Sequence, residues 1–202
     1  MNLAGGYAVL KDFVGVAQYL LISTVRVSGI ESPSLLEPDS SNYFRAAWRS
    51  RHYVDDRLHR RLGRDEVSLA INSTERRTQN QLHIHIDCFA PDVVRTLREV
   101  GPCIGAQWAP MPVRLRGHVY SAIRIDDSDL AHTDPFKVLA PHAAQRGQPM
   151  GDQTLLLTSA VLADGPPAFY FLDDHVQTGD WASAEELQDH TCALADRSIE
   201  NP

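Results

Sequence analysis

The sequence has no long apolar run. Its longest, from Val14 to Val25, is broken by Gln18 and carries Ser23 and Thr24, so it falls short of the roughly 20 apolar residues a spanning helix needs. Ahead of it, Met1-Asn-Leu-Ala-Gly-Gly has neither the charged start nor the apolar stretch of a secretory signal. The chain as it stands reads as soluble. Cysteine is scarce: Cys88, Cys103 and Cys192 form no metal-binding spacing, and three thiols allow one intrachain bridge at most, which does not decide the compartment. Positive charge is not in excess either. A formal net charge of -7 leaves no basic footprint of the kind that lets a general nucleic-acid binder displace counterions. Internal repeats and low-complexity segments are missing, which excludes solenoids and disordered tracts.

What is present is a chain of 202 residues with ordinary apolar and charged fractions, enough to bury a core, and residues 1–202 are expected to form one domain. Tyr7 to Asp12 and Gln18 to Val27 read as a hairpin of strands. A Ser/Pro-rich link follows, and then a helix from Asn42 to Leu62 that Gly63 stops, with Phe44, Trp48, Val54, Leu58 and Leu62 near helical spacing. Seven arginines from Arg45 to Arg64 make it basic. We read that charge as a solvated face, with a phosphate-facing or lipid-facing surface as the alternative. Further strands are expected at Val67 to Asn72, Leu82 to Phe89, His118 to Ile125, Thr154 to Val161 and Ala168 to Leu172. Helices are expected from Pro91 to Gly101 and around Pro135 to Ala144. Ser183-Ala-Glu-Glu186 has the form of a capping box opening a last helix toward Arg197. Antiparallel strands with helices between hairpins make an α+β fold.

The chemistry concentrates in Gln81-Leu-His83-Ile-His85-Ile-Asp87. Strand alternation puts Gln81, His83, His85 and Asp87 on one face and Leu82, Ile84 and Ile86 on the other. Folding does not ask for two imidazoles in a row on an exposed strand face, although a strand His-x-His also occurs for structural reasons. Two chemistries want the pair. Zinc binding needs a third ligand, and His118 or His190 would have to supply it without any spacing to say so. Phosphoryl chemistry needs no metal: one imidazole attacks phosphorus while its neighbour steadies the oxygens or the first ring. In that reading both rings project together from a sheet edge into a pocket sized for a diphosphate.

The runs Leu69-Ala-Ile-Asn72, Arg77-Thr-Gln-Asn80 and Gln81-Leu-His83-Ile-His85-Ile resemble the histidine-triad superfamily. With Gln18-Tyr-Leu-Leu21, Gly29-Ile-Glu-Ser-Pro33, Leu115-Arg-Gly-His118 and Ala182-Ser-Ala-Glu-Glu-Leu-Gln-Asp-His190, the order of words resembles the bacterial CDP-diacylglycerol pyrophosphatase family from about residue 7 to 192. The resemblance implies a histidine-triad-like antiparallel sheet with flanking helices. It implies hydrolysis of CDP-diacylglycerol, or a related CDP-alcohol, to CMP and phosphatidate through a nucleotidyl-histidine, with no cofactor and no metal. His83 would be the nucleophile, His85 a contact to the phosphate oxygens and Thr78 a hydroxyl near the leaving group. Asn72, Gln79, Asn80 and Gln81 would bind substrate. Gln81 stands where relatives carry the first histidine, and Asp87 brings negative charge near an anionic substrate unless it orients His85. A non-catalytic nucleotide-binding module and a zinc-dependent phosphohydrolase are the competing readings.

The same resemblance implies a membrane-surface partner, a periplasm-facing place at the inner membrane, and a possible homodimer. The family's N-terminal membrane anchor has no counterpart here, Met1 falling just before the first family-like strand, which suggests a shortened chain. A Cys88–Cys192 bridge, with Cys103 free, would suit the periplasm. Arg116 and His118 are candidates to close the site over phosphate. Asp189 and His190 read as a solvated or packing pair.

Overall fold

The structure is a computed structural model that describes residues 6–160, 162 and 167–196. The strands are β1 (Tyr7–Lys11), β2 (Tyr19–Ser23), β3 (Val67–Ile71), β4 (His83–Cys88), β5 (Ala109–Pro110), β6 (Ser121–Ile125), β7 (Gln153–Ala160) and β8 (Ala168–His175). They form one sheet in the order β1-β2-β4-β3-β7-β8-β6-β5, with antiparallel pairing throughout. The helices are α1 (Tyr43–Ser50), α2 (His52–Leu58), α3 (Pro91–Val100) and α4 (Pro135–Gln145). An antiparallel sheet with flanking helices is what the alternating and helical spacings led us to expect.

Each face of the sheet has its own core. Leu21, Leu69, Ile84, Ile86, Leu157 and Phe171 pack with Phe44 and Trp48 of α1, Val54 of α2 and Phe136 and Leu139 of α4. On the opposite face Ala70, Leu156, Leu172 and Ala122 pack with Val93, Val94 and Leu97 of α3. One cross-strand row runs Leu10, Leu20, His85, Ala70, Leu156, Leu172, Ala122. The part of this row from Ala70 onward belongs to the α3 core, while Leu10, Leu20 and His85 do not. The histidine face therefore lies beyond the reach of that apolar cover.

Several expected boundaries move. The helix of residues 42 to 62 is two short helices meeting at Arg51, and it ends at His59, which takes a left-handed conformation (φ 50°). The Asp55 carboxylate accepts from the Leu62 amide, so the chain turns before Gly63. Strand β6 begins at Ser121, because Leu115 and His118 close a separate tight turn. Strand β8 runs on to His175. The last helix does not form: residues Ala184–Leu187 and Ala193–Asp196 make single 3₁₀ turns. Both capping side chains are taken by distant partners. Ser183 Oγ donates to Asn72 Oδ1 and Glu186 Oε1 accepts from the Tyr120 hydroxyl, and tertiary contact overrides the local signal. Val161 and Arg197, expected ends of a strand and a helix, lie outside the described residues.

The basic segment is only partly solvated. Arg45 and Arg49 share Asp129, while the Arg51 and Arg64 guanidinium groups lie 4.2 and 5.0 Å from the Trp48 ring centroid.

Candidate active site

Strand β4 is interior, paired with β2 on one side and β3 on the other, so the histidines do not stand on a sheet edge. They do share a face. His83 and His85 are 5% and 7% exposed, their ring centroids 5.1 Å apart and their planes at 68°. The polar face of the strand is thus mostly enclosed rather than presented to solvent.

Hydrogen bonds fix the two rings differently. His83 Nδ1 is 2.8 Å from the Gln81 carbonyl oxygen, which can only accept. The proton is therefore on Nδ1 and the lone pair on Nε2, the tautomer that a nucleophile requires. His85 Nδ1 lies 2.8 Å from Gln18 Nε2, which can only donate, so His85 carries its proton on Nε2. That Nε2 is buried without a hydrogen-bond partner. Burial, assisted by neighbouring His83, pulls the His85 pKa down to about 4 against the attraction of Glu185. The ring is neutral near pH 7 and offers an N–H donor.

Behind the pair, Asn72 is joined by Glu185 and Gln18, whose places at the site no local signal announced. Glu185 Oε2 accepts from Asn72 Nδ2 at 2.9 Å, and its Oε1 accepts from Gln18 Nε2 at 3.2 Å and lies 3.3 Å from His85 Nδ1. Burial works to raise this carboxyl, but His85 and the hydrogen bonds from Asn72 and Gln18 outweigh it and hold it below its usual range. His190 Nε2 is 3.6 Å from Glu185 Oε1, and His190 Nδ1 is 2.7 Å from Asp87 Oδ2. The Asp87 hydrogen bond raises the His190 pKa despite desolvation, and burial raises Asp87. Asp87 thus orients His190, not His85, and His190 is a partly exposed ring packed against β4 through that bond, the packing reading of the two.

A cavity of about 410 Å³ opens over this arrangement, within the range that holds a drug-sized ligand. His83, His85, Asn72, Thr78 and Gln79 line it, as the motif led us to expect, and so do Arg76 and Glu185, which the motif did not single out. Asp12, Val14 and Leu20 complete the wall from the β1–β2 hairpin. Asn80 and Gln81 are not part of the lining. Gln81 Nε2 instead donates to the Ser23 and Val25 carbonyls, tying the start of β4 to the chain beyond β2. Arg116 and His118 are likewise elsewhere. Arg116 pairs with Asp92 on α3, and His118 sits among Asp174, Asp180 and Glu186.

For zinc, the groups of side chains that converge closely enough among the described residues are Asp87/Cys88/Cys192 and His118/Asp174/Asp180. Neither contains His83 or His85, and the two thiols of the first are joined to each other. The histidine pair offers one N–H donor, on His85, and one lone pair, on His83, not a converging ligand set for a cation.

The sequence profile of the CDP-diacylglycerol pyrophosphatase family matches residues 1–196. A protein of Yersinia pestis named CDP-diacylglycerol pyrophosphatase is 43% identical over 196 residues, covering 96% of this chain and 74% of the relative. The chain belongs to the CDP-diacylglycerol pyrophosphatase family. For this family member the Cys88–Cys192 bridge has a direct bearing on the site. Cys88 follows Asp87, Cys192 lies two residues after His190, and the bridge spans a sequence separation of 104. It holds the His190 segment against β4, aided by the Asp189 amide donating to the Cys88 carbonyl at 2.9 Å. Cys103 is free and exposed. Among the described residues no helix is long and apolar enough to cross a membrane.

Proposed function

We propose that this chain hydrolyses the pyrophosphate of CDP-diacylglycerol, or of a related CDP-alcohol, to CMP and the phosphorylated alcohol, through a nucleotidyl-histidine on His83. One observation carries the reading: the Gln81 carbonyl holds the Nδ1 proton of His83, leaving its Nε2 free on a ring that lines a cavity large enough for a nucleotide. In the first half-reaction Nε2 attacks the cytidylyl phosphorus. A P–N bond forms, the bond from that phosphorus to the bridging oxygen breaks, and the oxygen leaves with the lipid phosphate. Phosphatidate is a stabilised anion near neutral pH, so its departure needs little acid help. In the second half-reaction water attacks the same phosphorus, the P–N bond breaks, CMP is released with a proton, and His83 regains its lone pair.

His85 serves both halves. Its neutral Nε2–H donates to a phosphoryl oxygen as charge builds there, a preorganised contact from a ring fixed on its other side. Asn72, Gln18 and Glu185 fix that ring, and Arg76 at the rim offsets phosphate charge. The same reading takes the sheet as a histidine-triad-like scaffold in which Gln81 replaces the first ring by a backbone-tying amide. A periplasm-facing place at the inner membrane is supported by the Cys88–Cys192 bridge, which persists in an oxidising compartment.

The test uses the purified chain with CDP-diacylglycerol in detergent and EDTA. The expected result is CMP release, with radiolabel from the cytidylyl phosphate trapped on protein by rapid quench into alkaline denaturant and lost in His83→Ala. Turnover abolished by EDTA would support metal hydrolysis instead, and CMP binding without any turnover would support a binding module.

A further inference from the structure

Beside the pocket, the β1–β2 hairpin ends in a turn whose side chains and backbone face opposite demands. Phe13 is wholly exposed, and Val14 and Val16 are each about half exposed. Three apolar side chains in four residues at a tip are more than scattered surface hydrophobes require. Most of the backbone of the same turn is already paired within the protein. Lys11 Nζ donates to the carbonyls of Asp12 (2.7 Å), Gly15 (2.9 Å) and Val14 (3.4 Å), and Arg57 Nε donates to that of Val16 (3.2 Å). The amides of Asp12, Val14 and Val16 donate to the Gln18 carbonyl, Asp12 Oδ1 and the His190 carbonyl. Gly15 permits the tight reversal with a φ of +70° in a place where a Cβ would press on Gln18 and His190 at 3.2 Å.

Backbone polar groups are costly in hydrocarbon unless they are paired internally, and this turn pairs the amides of Val14 and Val16 and the carbonyls of Val14, Gly15 and Val16 before any partner arrives. The two cations that pair it sit at the base of the apolar tip, where long basic side chains meet anionic headgroups. The tip is also continuous with the catalytic wall. Asp12 and Val14 line the histidine cavity, and Leu10 and Leu20 lie in one cross-strand row with His85. We propose that the turn of residues 13–16 embeds in an anionic lipid surface, with Lys11 and Arg57 at headgroup level, and that acyl chains run from the cavity along Leu20 and Leu10 to that surface. This rests on the liponucleotide reading above. The cavity, filled by a nucleotide and a diphosphate, leaves the acyl chains a path only outside it, and the hairpin offers the apolar one.

The experiment separates the two readings by measuring vesicle partition without turnover. The chain is sedimented with phosphatidylcholine–phosphatidylglycerol vesicles, alongside Phe13→Ser/Val16→Ser, neither position lining the cavity. The variant is expected to partition about tenfold or more weakly, since a buried Phe and Val each contribute a large apolar transfer, and to lose kcat/KM by a similar factor on vesicle-embedded CDP-diacylglycerol. Its kcat/KM on water-soluble CDP-glycerol should be unchanged. Phe13→Trp should show blue-shifted emission on vesicles and quenching by brominated acyl chains. Unchanged partition in the double variant, or unchanged Trp emission, overturns the proposal. So does an equal loss on CDP-glycerol, which would make the turn part of the nucleotide site. If the parent chain binds vesicles through this turn but turns over neither substrate, the hydrolase reading fails and the membrane contact stands.

Discussion

Two histidine–carboxylate clusters lie on the same sheet face, and adjacent glutamates face one each. Glu185 reaches His85, Asn72 and Gln18, while Glu186 accepts from Tyr120 and stands 3.7 Å from His118 Nε2. In the first cluster the imidazoles keep nitrogens in reserve, His85 Nε2 being unpartnered. In the second, both nitrogens of one ring face carboxylates, His118 Nδ1 lying 2.7 Å from Asp180 and 3.5 Å from Asp174. The residue types are alike and the capacities are opposite. A cluster with a free neutral N–H on His85 can receive a diphosphate, whereas a histidine enclosed by Asp174, Asp180 and Glu186 presents negative charge that repels one.

The largest effect should separate the clusters outright. His83→Ala is expected to lower CMP release at least about 1,000-fold, because the proposed mechanism loses both its nucleophile and its covalent intermediate. His118→Ala should change the same rate by less than about threefold. Steady-state kinetics on CDP-diacylglycerol in detergent reads both, and comparable losses would mean that the acidic cluster belongs to the reaction after all.

The next effect concerns what holds the clusters in place. The Cys88–Cys192 bridge closes a long loop and pins the His190 segment behind β4, but touches nothing around His118. Replacing both cysteines by serine should lower unfolding free energy by about 2–4 kcal/mol, the usual range for such cross-links. It should also lower kcat through the Asp87–His190–Glu185 chain, as seen by urea denaturation and by turnover well below the melting temperature. A destabilised variant with unaltered kcat would show that His190 has no part in orienting His85.

How much of this was legible in the sequence follows the same division between local and distant contacts. The period-two run from Leu82 to Phe89 located β4, its face and the histidine pair, because alternation is a property of the strand itself. The apolar spacing around Trp48 located α1, but the break at Arg51 and the left-handed His59 depend on side chains folding back on the backbone. Glu185 was hidden behind a helix signal. Ser183 and Glu186 have the spacing of a capping box, and only the approach of Asn72 and Tyr120, both distant in sequence, diverts them. Asp87 pointed correctly to an orienting role but toward the wrong ring, since His190 comes to it from 103 residues away.

The smallest effect is one of sign in the pH dependence of stability. Burial holds His85 at about 4, below the usual value near 6.5, so the unfolded chain binds the extra proton between those values. Its contribution is complete above about 6.5 and is lost as pH falls toward 4. In the second cluster burial raises Asp174 and Glu186 above their ordinary values. There the folded chain holds protons longer than the unfolded one, and stability is lost as pH rises through the raised values. His85→Gln should therefore flatten the fall in stability between pH 6.5 and 4, whereas Asp174→Asn should relieve the loss that sets in as pH rises above the ordinary carboxylate value. Thermal melts of the two variants across that range check both slopes. If Asp174→Asn flattened the acid limb instead, the fold would be holding Asp174 charged rather than protonated, and the contrast between the clusters would be reversed.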